Sequence, residues 1–145
     1  MLEISCKKEK KKEVGEEIAV EKELTEEEVK EKLKSFHNSD AVSQVTTKEV
    51  YKIEGSGKHV AILDFGIKEN ILRSFKKRGC KLTVFPANAR AEEILNENPD
   101  LIFLSNGPGD PEDLTEVIET IKELISKKPI VGICLGHQLL ALSLG

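Results

Sequence analysis

The chain has 145 residues, which is enough for one ordinary domain or one domain with a short appendage. Its 22 basic and 26 acidic residues give a formal net charge of −4, which argues against a nucleic-acid groove and a polybasic membrane patch. No apolar run approaches the ~20 residues of a membrane span, and the first residues do not resemble a signal peptide. Cys6, Cys80 and Cys134 are spaced unlike a zinc site. We therefore expect a cytoplasmic protein that binds no metal, nucleic acid or membrane.

The N-terminal part of the chain differs from the rest in composition. Residues 1–34 contain 20 charged side chains and no aromatic one, so residues 1–23 are predicted to be a charged, disordered segment with too little apolar surface to bury. Residues 24–57 are predicted to form a linker helix and an extended segment. Thr25 and Glu28 have capping-box spacing, which predicts a helix over about residues 26–36. The valines and threonines of residues 41–53 predict extended chain, and Gly55-Ser56-Gly57 predicts a flexible joint.

Residues 58–145 alternate strand and helix patterns. Continuous apolar runs at residues 60–63, 82–85, 101–104 and 130–133 are typical of parallel strands that are covered on both faces. Helical spacing links the apolar residues of 67–75 and of 114–125, and Gly79 is a natural end for the first of these helices. This order predicts an α/β fold with an open, mostly parallel twisted sheet and helices on both faces. Such sheets bind ligands at the carboxyl ends of their strands.

Cys134 is the most informative residue, because it lies between Gly132 and Gly136 directly after an apolar run. This layout is typical of a nucleophile elbow, in which a strand ends, the backbone turns sharply and a helix begins at the nucleophile. Glycine tolerates strained backbone angles and lets a substrate carbonyl approach the main chain. The positive end of the helix dipole favours the thiolate, which is the reactive form of cysteine. The alternative is a buried structural cysteine, which would not require flanking glycines.

A second loop, residues 105–111, follows the apolar run at 101–104 and has the sequence Ser-Asn-Gly-Pro-Gly-Asp-Pro. Its two glycines and two prolines predict a fixed, exposed backbone whose amides could stabilise an oxyanion. The alternative is an ordinary turn between a strand and a helix. A nucleophile elbow at the same sheet edge favours the functional interpretation.

These motifs carry a resemblance to a known family. GICLGHQ at 132–138 and SNGPGDP at 105–111 resemble the class I (triad-type) glutamine amidotransferases. The resemblance is closer to one member of this family, the small, glutamine-hydrolysing subunit of carbamoyl-phosphate synthetase. Two further stretches carry it, LDFGIKENILRSF at 63–75 and VTTK at 45–48. The resemblance covers about residues 40–145. It implies a flavodoxin-like amidotransferase fold, of which residues 58–145 would be the N-terminal part.

The resemblance also implies a role for several residues. Cys134 would attack the side-chain carboxamide of L-glutamine, and the backbone amides of Leu135 and Gly109 would form the oxyanion hole. Main-chain atoms of Gly107 and Gly109 and the side chain of Gln138 would hold the substrate. Ammonia would pass to a large synthetase subunit, which uses ATP, bicarbonate and a metal ion to make carbamoyl phosphate for arginine and pyrimidine synthesis. No cofactor is expected in this chain.

The chain departs from the family in one respect. The family's catalytic histidine and glutamate lie downstream of the elbow helix, and this chain ends at Gly145. We therefore expect a fragment with weak glutaminase activity or none. Among the three histidines, His137 is expected to pack beneath the elbow and not to act on the substrate.

Two alternative functions remain open from the sequence. One is a non-catalytic flavodoxin-like module that docks a synthetase without turning over glutamine. The other is an amidotransferase of another synthetase, such as that of anthranilate or GMP synthesis.

Overall fold

The computed structural model describes residues 25–35 and 38–145, which fall into two units. The prediction of a disordered segment over residues 1–23 lies outside the described residues. The elements of the chain are α1 (Glu26–Ser35), α2 (Ala41–Val45), β1 (Tyr51–Ile53), β2 (His59–Asp64), α3 (Glu69–Lys77), β3 (Lys81–Pro86), α4 (Ala91–Asn96), β4 (Leu101–Leu104), a 3₁₀ turn (Pro111–Asp113), α5 (Thr115–Leu124), β5 (Ile130–Gly132) and α6 (Leu135–Leu144). None of the helices in this part of the chain has the length and hydropathy of a membrane span.

Helix α1 lies in the first unit, and its start follows the predicted capping box. The Glu28 N–H donates to Thr25 Oγ1 over 3.3 Å, and the Thr25 N–H donates to Glu28 Oε2 over 2.8 Å. These two bonds satisfy donors that the first helical turn leaves without an intrahelical partner. The prediction of a helix from about residue 26 is confirmed.

The second unit is built on a five-stranded sheet in the order β1-β3-β2-β4-β5. Strands β2 to β5 run parallel to one another, and β1 pairs antiparallel to β3 at one edge. Val60 of β2 is level with Leu82 of β3 and Leu101 of β4. All four strands predicted from the continuous apolar runs are present. The carboxyl ends of β2, β4 and β5 therefore lie along one edge of the sheet.

Helices cover both faces of the sheet, as the sequence predicts. On one face, α3 packs its apolar side against β2, β3 and β4, and the Phe75 and Phe103 rings meet edge to face with centroids 5.1 Å apart. On the other face, α4, α5 and α6 bury Ile94, Ile121 and Leu139 against β2 and β4. Burial on both faces accounts for the continuous apolar runs of these strands.

The sequence-based prediction of extended chain is wrong for residues 41–45, which form helix α2. Ala41 and Val42 are buried, and Val42 belongs to the larger core cluster. The Gln44 side chain donates to the Asp40 carboxylate over 2.6 Å. Tertiary packing thus overrides the strand preference of valine. The prediction of extended chain is correct for Tyr51–Ile53, which form β1.

The stretch Gly55-Ser56-Gly57, which its composition predicts to be a flexible joint, passes close to the backbone of Gly79 and Cys80. The Gly57 N–H donates to the Gly79 carbonyl over 2.8 Å. A Cβ on Gly55 would lie 2.3 Å from the Cys80 carbonyl oxygen. The glycines are needed because two backbone segments pass against each other here.

Candidate active site

Cys134 lies at the sharp turn between β5 and α6, with φ 52° and ψ −115°. Positive φ is uncommon for a residue other than glycine, and such strained positions cluster at functional sites. The side chain of Cys134 is exposed and stands at the N-cap of the ten-residue helix α6. The strand, turn and helix predicted for a nucleophile elbow are present.

The two flanking glycines let the elbow approach its neighbours closely. A Cβ on Gly136 would lie 2.2 Å from the Leu104 carbonyl oxygen, and a Cβ on Gly132 would lie 2.5 Å from the Gly136 carbonyl oxygen. The Gly136 N–H donates to the Ser105 carbonyl over 3.0 Å. The start of α6 is therefore fixed against the end of β4, and any larger residue at these positions would displace the cysteine.

Loop 105–111 begins with a buried hydroxyl. Ser105 Oγ accepts the Phe65 N–H over 2.9 Å and donates to the Asn106 carbonyl over 2.8 Å. A Cβ on Gly107 would lie 2.2 Å from the Phe65 carbonyl oxygen and 2.9 Å from Leu135 Cδ2. Gly107 thus fills the narrow space between the loop after β2 and the elbow, where no side chain fits.

The loop after β2 is held by Asp64, a buried carboxylate. Asp64 Oδ1 accepts the Gly66 and Ile67 N–H groups over 2.9 and 2.8 Å, and Oδ2 accepts the Thr47 N–H over 2.8 Å. Hydrogen bonds from three backbone donors satisfy both oxygens of this buried side chain. Asp64 therefore joins the chain segment before β1 to the sheet edge that carries the site.

Asn106 connects the same loop to loop 105–111. Its Nδ2 donates to the Gly66 carbonyl over 3.0 Å, and its Oδ1 accepts the Lys68 N–H over 3.2 Å. The individual roles of Asp64, Ser105 and Asn106 were not identified from the sequence. The available signal is that each lies at the end of a buried strand or just after it, where a polar residue has a structural or functional reason to be present.

The structure brings most of the predicted site residues to one edge of the sheet. Gly107 lies against Leu135, which follows Cys134, and Gln138 is exposed and donates its N–H to the Cys134 carbonyl over 3.1 Å. Gly109, which follows Pro108 in the loop, is exposed and has φ +91°. Within the described residues, neither the Leu135 N–H nor the Gly109 N–H has a hydrogen-bond acceptor.

Neither described histidine forms a hydrogen bond with Cys134. His137 is exposed, because the buried side of α6 is formed by Leu135, Gly136, Leu139 and Ser143. The expectation that His137 packs beneath the elbow is therefore wrong. His59 begins β2, roughly 17 Å along the strand from Asp64, and its Nε2 contacts Thr83 Oγ1 at 2.8 Å. His37 lies outside the described residues.

Comparisons with known proteins agree on the family. The model of the class-I glutamine amidotransferases matches residues 61–145. The carbamoyl phosphate synthase small chain of Clostridium perfringens is 66% identical over 119 residues, which are 82% of this chain and 34% of that protein. The corresponding small chain of Clostridium acetobutylicum is 55% identical over 106 residues, which are 73% of this chain and 30% of that protein. The chain thus spans about a third of the length of these curated relatives.

A solved structure with a similar fold is that of a GMP synthase protein from Thermoplasma acidophilum. It superposes with a TM-score of 0.53 at 22% identity and covers 62% of this chain and 46% of that one. At this identity the similarity concerns the fold alone. It agrees with the predicted open, mostly parallel α/β sheet.

Proposed function

Because the chain belongs to the class-I glutamine amidotransferase family, we propose that it carries the nucleophile and part of the substrate site of the glutamine-hydrolysing subunit of carbamoyl-phosphate synthetase. The observation that carries the proposal is the exposed Cys134 at positive φ, at the head of α6 and beside loop 105–111. A sulfur atom in this position lies near the positive end of the helix dipole, and a substrate can reach it.

In the proposed reaction, the Cys134 thiolate attacks the side-chain carboxamide carbon of L-glutamine. A carbon–sulfur bond forms and the carbonyl oxygen becomes an oxyanion. The oxyanion then collapses, the carbon–nitrogen bond breaks, and the nitrogen takes a proton from solvent water and leaves as ammonia. Water finally hydrolyses the γ-glutamyl thioester to glutamate and restores the thiol.

The N–H groups of Leu135 and Gly109 are the proposed donors to this oxyanion. Both are without an acceptor among the described residues, so they are available to a substrate oxygen. Removing one such donor typically lowers a rate by about 10²–10³-fold. Main-chain atoms of Gly107 and Gly109 and the exposed Gln138 side chain are proposed to hold the glutamine.

The proposed partner is a large synthetase subunit that receives the ammonia and combines it with bicarbonate and ATP. Two relatives at 66% and 55% identity are both named carbamoyl phosphate synthase small chain. This naming favours carbamoyl-phosphate synthesis over the anthranilate and GMP alternatives, since the similarity to the Thermoplasma acidophilum protein is limited to the fold.

A chloromethyl ketone analogue of glutamine tests the chemistry. We expect Cys134 to be alkylated about 100-fold faster than Cys80, which is only partly exposed and lies after α3. L-glutamine should slow the reaction at Cys134 alone, and Cys134→Ser should abolish it. Peptide mapping by mass spectrometry at several time points gives both rates. Equal rates at the two cysteines, or no protection by glutamine, would reject the proposed chemistry and leave the non-catalytic docking module as the better account.

A further inference from the structure

Residues 107–109, which contain the proposed oxyanion donor of Gly109, make no hydrogen bond to any described part of the chain. The N–H groups of Gly107 and Gly109 and the carbonyls of all three residues have no protein partner there, and residue 108 is proline. Gly109 is exposed and at positive φ. Packing holds this short stretch, with Gly107 against Phe65 and Leu135, and any hydrogen bond that attaches the loop to the rest of the described chain must come from the residues on either side of it.

On its C-terminal side, the stretch is followed by a local turn. Asp110 accepts the Glu112 N–H over 3.0 Å, and its carbonyl accepts the Asp113 N–H over 3.2 Å. Both bonds lie within the turn itself, so they shape the chain after Gly109 without attaching the loop to another strand.

On its N-terminal side, the stretch is preceded by Asn106, whose side chain attaches the loop to the neighbouring strand connection. The amide uses both of its polar ends: Nδ2 donates to the Gly66 carbonyl and Oδ1 accepts the Lys68 N–H. Two bonds of opposite polarity fix the orientation of the amide plane. The backbone contact between Gly107 and Phe65 lies directly beside these bonds.

We propose that Asn106 is a positioning residue for the oxyanion donor of Gly109. The inference rests on the proposed function, because it assumes that the Gly109 N–H faces a substrate oxygen. By holding loop 105–111 against the loop after β2, the Asn106 amide keeps the Gly109 N–H at the distance from Cys134 at which the oxyanion forms. Asn106 itself touches no reacting atom in this account.

Two reagents separate positioning of the donor from general damage. A glutamine chloromethyl ketone reacts by thiolate addition to its carbonyl, which creates an oxyanion, followed by sulfur displacement of chloride at the adjacent carbon. Iodoacetamide reacts by displacement of iodide alone and creates no oxyanion. Loss of the oxyanion donor therefore slows the first reaction selectively.

The experiment measures both alkylation rates at Cys134 in the full chain and in three variants. Asn106→Ala removes both hydrogen bonds and is expected to lower the chloromethyl ketone rate by about tenfold or more, with the iodoacetamide rate changed by less than about twofold. Asn106→Asp keeps the acceptor for the Lys68 N–H and loses the donor to Gly66, so an intermediate rate is expected. Asn88→Ala, at an exposed residue in the turn after β3, is the matched control and should change neither rate.

Each result has one meaning. If the unsubstituted chain shows no preference of the chloromethyl ketone for Cys134 over Cys80, the proposed function fails and this inference fails with it. If that preference is present and Asn106→Ala keeps it, only the positioning role is overturned. Equal loss of both rates in Asn106→Ala and Asn106→Asp would also overturn it, since that pattern reports a structural role. Circular dichroism shows whether each variant is folded. If Asn106→Ala is unfolded, the two alkylation rates of Asn106→Asp, compared with those of the unsubstituted chain, decide the question.

Discussion

At the scale of single residues, the sequence indicates Cys134 as the proposed nucleophile but does not indicate the side chains that support the loops around it. Cys134 is marked by local pattern, because glycines on both sides and a preceding apolar run lie within five residues of it. Asp64 and Asn106 act on partners that are 17 and 40 residues away, at Thr47 and Gly66. No spacing rule along the chain reports such contacts, and they become visible only in three dimensions.

His59 provides a residue-scale prediction on pH. Burial lowers the pKa of His59 below its ordinary value, and the nearby Lys81 adds to this effect, while Glu97 and Asp100 oppose it. In the folded state His59 thus binds fewer protons than in the unfolded state, so its contribution to stability is present above pH ~6.5. That contribution is lost as the pH falls through the lower, folded-state pKa.

The measurement combines an NMR titration of the His59 ring with urea unfolding between about pH 5 and pH 8. The free energy of unfolding should rise with pH across this window, and His59→Gln should have a smaller slope. A titration midpoint at or above that of a histidine in an unstructured peptide would contradict the prediction.

At the scale of elements, the sequence-based predictions are correct for the strands with continuous apolar runs and wrong for helix α2, in which only two residues are buried. Strands β2 to β4 are covered on both faces, and their apolar runs mark them to within one or two residues. The apolar run of edge strand β5 also marks its position, although Val131 in this strand is exposed. Helix α2 has only five residues and is held by the burial of Ala41 and Val42. A helix of five residues is too short to be recognised from the spacing of its hydrophobic residues.

The contact between β4 and α6 leads to a prediction on stability. Gly136→Ala should lower the free energy of unfolding by about 2–3 kcal/mol, because its Cβ would collide with the Leu104 carbonyl and force the helix away from the strand. The better helix propensity of alanine offsets only part of this cost.

Gly79→Ala is the matched control for this substitution. Gly79 has φ +75°, and nothing lies within 4 Å of the position that a Cβ would take, so only backbone strain is introduced, at a cost of about 1–2 kcal/mol. Urea unfolding of the two variants compares the effects. A loss for Gly136→Ala that is no larger than that for Gly79→Ala would show that the close approach is not required.

At the scale of the whole molecule, the site exists because parallel strands end on the same side of the sheet. The loop after β2, loop 105–111 and the elbow emerge from β2, β4 and β5, which are successive neighbours in the sheet. The sequence-based expectation of a ligand site at the carboxyl ends of the strands follows from this topology alone. The antiparallel pairing of edge strand β1 was not predicted, because its three residues carry no alternation that is long enough to identify.

The proposed attack of Cys134 on the carboxamide of glutamine can be tested by trapping the acyl group on the sulfur. Among the described residues, no histidine or carboxylate forms a hydrogen bond with the Cys134 side chain. Attack by a thiolate needs no further base, and the departing nitrogen can take its proton from water, whereas hydrolysis of the thioester requires an activated water as nucleophile. The γ-glutamyl group should therefore persist on the cysteine once it has formed.

The measurement is peptide mapping by mass spectrometry after incubation with isotopically labelled L-glutamine and an acid quench. We expect a glutamyl group on Cys134, with the mass of glutamine less ammonia, that hydroxylamine removes and that Cys134→Ser lacks. An unmodified Cys134, or equal labelling of Cys134 and Cys80, would contradict it.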